Sequence, residues 1–300
     1  MTNPVSLSLA DAMQSVAAEI DDLFDQLLAV PDDPRAVLYE AMRHAAIGGG
    51  KRLRPLLVFA SANLFNVSRT SALRAGLAIE ALHVYSLVHD DMPCMDDDDL
   101  RRGKPTVHKQ WNEAIAVLAG DALHALAFEV AADPETHADP FVRAELALEL
   151  ARASGPAGMA GGQMMDLVAE ETSFDLPTTT RLQQLKTGAL IGFCLEAGAI
   201  LGRVPPEGRR GLRAYARDIG LAFQIADDLL DVEGDAATLG KPAGADAELG
   251  KTTFVTQLGI EGAKQRVRDL LARGDAALSI FGAKGDVLRA AAHFVAERKS

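Results

Sequence analysis

Two acidic segments, far apart in the chain, share one geometry. In FQIADDLLDVEGD, Gln224, Asp227, Asp228 and Asp231 fall at i, i+3, i+4 and i+7, on one face of a helix. The rest of that segment is largely apolar, so the polar face is set into a helix that otherwise packs. In LVHDDMPCMDDDDLRRGKP, six aspartates fall between Asp90 and Asp99. His83, Ser86 and Asp90 run up to them at spacings of three and four, a polar stripe on an apolar helix. Pro93 then disturbs the helix, and Asp96 returns after a widened DDxxxxD spacing.

Carboxylates stacked this way repel. Two unit charges ~5 Å apart at an effective dielectric of ~20 cost roughly 3 kcal/mol, and burial raises that cost, so a half-buried cluster calls for cations. Hard oxygen donors select magnesium or calcium, and magnesium typically takes one or two carboxylates plus substrate phosphates. Two carboxylate faces across a cleft could clamp a diphosphate through shared magnesium ions. A run of aspartates is also what a solvated loop looks like. Asp97, Asp98 and Asp99 stay open between that reading and a supporting role. The spacing of an EF-hand calcium loop is absent.

Cations accompany the acids. GGGKRLRP sets Lys51, Arg52 and Arg54 beside glycines that let backbone approach an anion. Lys51 and Arg54 could bind a phosphorylated group not held by metal, or simply complement a helix C-terminus. Arg101 and Arg102 follow the first acidic cluster, and adjacent residues on a turn can point to different sides. They serve one anion each, or only balance Asp96 to Asp99. Lys186, followed by Thr187 and Gly188, interrupts an apolar helical pattern. Lys241 and Lys251 lie in LGKPAGADAELGKTTF, a glycine-rich loop that could close over phosphates or remain a surface loop.

These groups need a scaffold, and the composition says which kind. Of 300 residues 48% are apolar but only 5% aromatic, so the core is Ala, Leu, Val and Ile, which here favours helix. Glycine and proline punctuation predicts helices over Ser8–Val30, Arg35–Ile47, one entered near Pro55, Ser71–Met92, Trp111–Ala132, Pro140–Ala153, Met159–Glu171, Thr178–Leu201, Gly208–Val232, Thr253–Phe281 and Asp286–Glu297. No Pro/Ser-rich linker divides them, so the expectation is one all-α domain over residues 1–300. The net charge of −12 argues against nucleic acid or an anionic membrane surface as partner. Cys94 and Cys194 form no metal or disulfide pattern, which suits a reducing, cytoplasmic setting. The N-terminus shows no signal-peptide pattern. The most apolar window, Leu190 to Leu201, is interrupted by Glu196 and too short to span a bilayer.

GGGKRLRP, HDDMPCMDDDDLRRGKP, GMAGGQMMD, LKTGAL, FQIADDLLD and LGKPAGAD occur in this order between Gly48 and Asp246. Together they resemble the trans-prenyl diphosphate synthases, in particular the bacterial farnesyl diphosphate synthases (geranyltranstransferases). Phe254-Val255 departs from that pattern, which often reads Tyr-Pro there. The resemblance implies a bundle of about ten or more helices around a central cavity, usually a homodimer. It implies magnesium, several ions with manganese able to substitute, on Asp90, Asp91 and Asp96 and on Asp227, Asp228 and Asp231. It assigns Lys51, Arg54, His83 and Arg102 to isopentenyl diphosphate, and Arg101, Lys186, Thr187, Gln224 and Lys241 to the allylic diphosphate. Among these Lys186, Thr187, Gln224, Asp90 and Asp227 carry the catalysis.

The implied reaction condenses isopentenyl diphosphate head-to-tail with dimethylallyl and geranyl diphosphate to give (2E,6E)-farnesyl diphosphate, by ionisation, condensation and elimination. The Thr187 carbonyl and the Gln224 side chain would face the allylic cation, and the departing diphosphate would take the proton. Tyr85 and Ser86, five and four residues before Asp90, resemble the pair that forms the floor of the chain pocket at fifteen carbons. Tyr85 could equally be an ordinary core aromatic. Geranyl or geranylgeranyl diphosphate synthesis, and a non-catalytic subunit of a heteromeric synthase, are the competing readings. A terpene cyclase is disfavoured by GGGKRLRP and DDLLD.

Overall fold

The computed structural model describes residues 8–169, 171–233 and 253–297. Helix α1 (Leu9–Leu27) starts where the Ser8 side chain accepts a hydrogen bond from the Asp11 amide, and it buries Ala12, Val16, Ile20 and Phe24. That four-residue spacing is one helical stripe. Helix α2 (Ala36–Ala46) runs into glycines with positive φ at Gly48 and Gly50. Helix α3 (Leu53–Leu64) follows, buried almost throughout. Helix α4 (Arg69–Asp90) is buried on every side from Ala72 to Leu82, the largely apolar length that precedes the His83, Ser86 and Asp90 stripe. It packs on α3 and on α6 (Glu113–Ala132). α3 in turn packs on α10 (Ala189–Leu201).

Around this centre lie α7 (Pro140–Ser154), α8 (Met159–Ala169), α9 (Leu176–Gln183), α11 (Arg210–Glu233), α12 (Phe254–Ala277) and α13 (Asp286–Glu297). The short α5 (Val107–Gln110) precedes α6, and a two-stranded hairpin, β1 (Leu100–Arg101) with β2 (Lys104–Pro105), precedes α5. The all-α reading holds, and one contiguous apolar core joins these helices. Two helical stretches, Glu113–Ala132 and Leu176–Leu201, are long and apolar enough to cross a membrane by length and composition. Both pack into the bundle, through α4 and α3.

Three expected helices are broken. Thr178–Leu201 divides into α9, a π-helical turn over Gln184–Gly188, and α10. Gly208–Val232 opens with a 3-10 turn at Pro206–Arg209 before α11. Thr253–Phe281 bends at Gly259, whose φ is 68°, and ends in a 3-10 turn over Ser279–Gly285. Such interruptions shift the phase of the side chains that follow, which a sequence reveals only where a polar stripe continues on both sides of the break. The expected Trp111 start moves to Glu113, where the Asn112 side chain caps the Ile115 amide.

With few aromatics, the core reaches high density by bringing backbones together. A Cβ on Gly198 of α10 would lie 2.4 Å from the Ala62 nitrogen of α3. Gly198→Ala must therefore push the two helices apart, at a cost of about 1–3 kcal/mol. Chemical denaturation should show that loss of stability; an unchanged midpoint would mean the α3–α10 contact is not this close.

Candidate active site

The C-terminal end of α4 is closed by the acidic loop itself. The amides of Asp91, Met92, Asp96 and Asp98 donate to the carbonyls of Leu87, His89, Asp90 and Asp91, at 2.9–3.2 Å. The four last carbonyls of a helix need such partners, and this folding-back returns Asp96 to Asp90. The chain then enters the β1–β2 hairpin, in which Leu100 pairs with Pro105 and Arg101 with Lys104. Its two turn residues, Arg102 and Gly103, both have positive φ, 54° and 77°, the two-residue turn that matches strand twist.

That turn separates the adjacent arginines. Arg101 donates from Nε to Asp91 Oδ1 at 2.8 Å and from Nη2 to Asp98 Oδ2 at 2.9 Å. Arg102 turns the other way, with its guanidinium against Gly49 and Gly50. A Cβ on Gly50 would lie 2.5 Å from the Arg102 Cζ. Asp99 pairs with Lys109 Nζ at 2.7 Å, and Asp97 adopts φ 50° in the turn. The three aspartates left open by sequence thus hold the loop and hairpin in shape.

Beside this loop lies a cavity of about 300 Å³. α4 contributes His83, Tyr85, Ser86 and Asp90, α3 contributes Arg54, and the π-helical turn contributes Lys186 and Thr187. Burial, with the charges of Asp96 and Asp91 nearby, pushes the Asp90 carboxyl up to about 6, against the opposing pull of Lys186 and Arg101. Burial raises Asp91 too, with the Arg101 hydrogen bonds opposing it. Burial and then the cations Arg54, Arg102, Arg52 and Arg101 hold the His83 imidazole well below its ordinary range. Desolvation also lowers Arg102, with Arg52, Arg101 and Arg54 adding to the effect. The buried Arg54 Nε has no hydrogen-bond partner. Unsatisfied and crowded donors of this kind favour an anion.

The opposite wall is set by close packing. A Cβ on Gly162 of α8 would fall 2.1 Å from the Lys186 nitrogen, so only glycine lets α8 lie against the π-helical turn. One turn further on, Asp166 Oδ2 accepts from Lys186 Nζ at 2.5 Å. Thr187 Oγ1 donates to Gln224 Oε1 at 3.2 Å, which ties the turn to α11. Farther along α11, Asp227 is half-buried and Asp228 and Asp231 are buried. Asp228 Oδ2 accepts from the Phe254 amide at 2.8 Å and fixes the start of α12. π-helical turns of this kind are frequent at functional sites.

Tyr85, which also lines the cavity, packs against two imidazoles. Its ring meets those of His89 and His124 edge-on, at centroid distances of 5.6 and 4.9 Å. His124 in turn rests on Phe128 at 5.1 Å. The Ser86 hydroxyl donates to the His83 carbonyl at 2.8 Å.

The cavity therefore gathers Arg54, His83, Tyr85, Ser86, Asp90, Lys186 and Thr187. Gln224 reaches its wall through Thr187. Asp91, Asp96, Arg101 and Arg102 belong to the adjoining loop and hairpin, and Asp227, Asp228 and Asp231 to α11. Lys51 Nζ lies 5.6 Å from the centre of the Phe294 ring on α13. Lys241, Lys251 and Asp246 fall outside the described residues. Among the described residues, no three acidic, histidine or cysteine side chains already converge as a metal cluster. Sequence reasoning missed Asp166, Gly162, His89 and His124. GMAGGQMMD gave a signal for the first two, as a glycine pair followed by an acid one helical turn on.

The polyprenyl synthetase family pattern matches residues 35–280. The chain is 49% identical over 236 residues to the farnesyl diphosphate synthase of Escherichia coli (strain K12), covering 77% of this chain and 78% of that one. It is 42% identical over 271 residues to the farnesyl diphosphate synthase of Bacillus subtilis (strain 168), covering 89% of each. The apo crystal structure of an FPP/GFPP synthase from Zymomonas mobilis superposes with a TM-score of 0.88 at 58% identity, over 96% of this chain and 98% of that one. With this fold, these ordered motifs and a cavity between an acidic loop and a lysine-bearing turn, the chain belongs to the polyprenyl synthetase family.

Proposed function

We propose that the protein is a trans-prenyltransferase that joins isopentenyl diphosphate to dimethylallyl and then geranyl diphosphate, giving (2E,6E)-farnesyl diphosphate and diphosphate. One observation carries the reading. A single cavity of about 300 Å³ is lined by Asp90, Lys186 and Thr187, by Arg54 and His83, and by the Tyr85 ring, and Arg102 lies close enough to act electrostatically on His83. That set of groups suits two anions and one growing hydrocarbon. The relatives named farnesyl diphosphate synthase support it.

The donor set fits magnesium. It is all oxygen, and the Asp90 carboxyl, raised to about 6 by burial and by its acidic neighbours, carries a strain that a dication relieves. Asp90 and Asp96 would hold ions on one side and Asp227 on the other, with Asp91, Asp228 and Asp231 in support. Asp91 is already engaged by Arg101 and Asp228 by the Phe254 amide, so both act through those bonds. Bound magnesium neutralises charge that develops on the leaving diphosphate.

The chain's own groups do the rest. Lys186, released from Asp166, and Arg101 add positive charge to the departing diphosphate as the allylic C1–O bond breaks. The Thr187 carbonyl and Gln224 offer negative dipole to the cation left behind. Arg54, Arg102 and neutral His83, with Lys51, hold isopentenyl diphosphate so that its double bond attacks C1. The C2 proton then leaves to the released diphosphate, since among the described residues no strong side-chain base faces the cavity. Packing around the apolar chain excludes water that would quench the cation. Product length is set where the chain meets Tyr85. A longer product is the second reading, favoured by the FPP/GFPP description of the Zymomonas protein.

We extend the proposal to a homodimer acting in the cytoplasm as one catalytic domain. Exposed Val117 and Leu118 on α6 and Phe141 and Leu148 on α7 are apolar surface suited to a second copy. Both cysteines are unpaired thiols.

Purified protein with magnesium, isopentenyl and dimethylallyl diphosphate should form a fifteen-carbon product, and EDTA should abolish it. Absence of metal-dependent condensation would refute the enzyme reading. Tyr85→Ala should lengthen the product and Ser86→Phe should cut it to ten carbons. His124→Ala, which removes the ring behind Tyr85, should give a mixture of fifteen carbons and longer. Chromatography of labelled products decides, and unchanged lengths in all three variants would sink the floor argument. The Asp90 carboxyl titrates above the ordinary range, so it carries a proton that magnesium must displace at low pH. Magnesium affinity should be flat above pH ~6 and fall by up to about tenfold per unit below it. Calorimetry in buffers of different ionisation enthalpy should show proton release on binding near pH 6; a pH-independent affinity would contradict the assignment.

A further inference from the structure

The glycine loop that backs Arg102 is held from outside the recognised motifs. Arg52 has a left-handed backbone, φ 47°, a conformation unfavourable for a side-chain-bearing residue. Its guanidinium is buried, at 3% exposure for the residue, and so must be fully partnered. Nη1 donates to Glu80 Oε1 of α4 at 2.8 Å, and Nη2 also bonds the Ala46 carbonyl at the end of α2. The remaining contacts go to one carboxylate on α1. Asp21 Oδ1 accepts from Arg52 Nη2 at 2.5 Å and Nε at 3.2 Å, and Asp21 Oδ2 accepts from the Gly48 amide at 3.1 Å.

Both ends of the segment Gly48–Arg52 are thus fixed by the two oxygens of Asp21. Between the anchors lie Gly49 and Gly50, where an added Cβ would come within 3.1 and 2.5 Å of the Arg102 guanidinium. The position of that loop sets the position of Arg102. It also sets where α3 begins, and so where Arg54 enters the cavity wall. Asp21 touches none of these groups directly, and it lies before the span, 35–280, that the family pattern matches. Phe24, one turn further along α1, supports the same arginine, with its ring centre 5.7 Å from Arg52 Cζ.

We propose that Asp21 is a positioning residue for the isopentenyl diphosphate side of the site, acting through Arg52 and the Gly48 amide on Arg102 and Arg54. This rests on the assignment of Arg54, His83 and Arg102 to that substrate. Losing the carboxylate leaves Arg52 on Glu80 and Ala46 alone, frees the Gly48 amide, and lets the loop slide behind Arg102. Lys186 and Thr187 are held instead by Asp166 and Gln224, so the allylic side is left as it was.

Steady-state kinetics of Asp21→Asn, with each substrate varied separately, test this. The expected result is a rise of about tenfold in KM for isopentenyl diphosphate, with kcat and KM for geranyl diphosphate within twofold of wild type. Asp21→Glu, which keeps the charge, should recover part of the loss. Equal changes in both KM values would overturn the proposal, as would an unchanged KM ratio accompanied by a lower unfolding temperature. Condensation by the wild-type enzyme checks the functional reading on its own, so failure of one is distinguishable from failure of the other.

Discussion

The structure is organised around negative charge held where water is scarce. Asp90 ends a buried helix, and its carboxyl is raised to about 6 because burial and neighbouring acids both oppose ionisation. Left alone, such a cluster would weaken the fold. It is accommodated because Arg101 grips Asp91 and Asp98 from one side and Lys186 faces it from the other, itself held by Asp166. Each of these pairings is one that an incoming anion with its cations can redistribute.

The second theme is division. A turn with two positive φ values sends Arg101 and Arg102 to different neighbours, the arrangement that the proposed division between two anions needs. The cost of left-handed backbone at Arg102, and again at Arg52, is of the kind that concentrates at functional sites. On the hydrocarbon side the constraint is packing rather than charge. Tyr85 has its ring held by two imidazoles, so its position depends on α6 as well as on α4.

Much of this was legible in the chain. The 3-4-7 spacing of Gln224, Asp227, Asp228 and Asp231 requires only that the segment be helical, and it is. The burial of α4 followed from the largely apolar run that precedes its His83, Ser86 and Asp90 stripe. The parting of Arg101 and Arg102 was legible as a possibility, and the hairpin geometry decides it. His124 and Asp21 were not legible, because each matters through a partner 39 or 31 residues away, and for Asp166 the motif was legible but not its partner Lys186, 20 residues on. No local periodicity records such pairings. The π-helical turn was hidden for a related reason: it changes where Lys186 and Thr187 point without changing which neighbours are apolar.

The central claim is that the two adjacent arginines serve two different diphosphates. Separate Arg101→Ala and Arg102→Ala variants, each assayed with one substrate varied at saturating levels of the other, test it most directly. The account predicts that the first raises KM chiefly for the allylic diphosphate and the second chiefly for isopentenyl diphosphate. If both substitutions move the same KM, the division of the site proposed here is wrong.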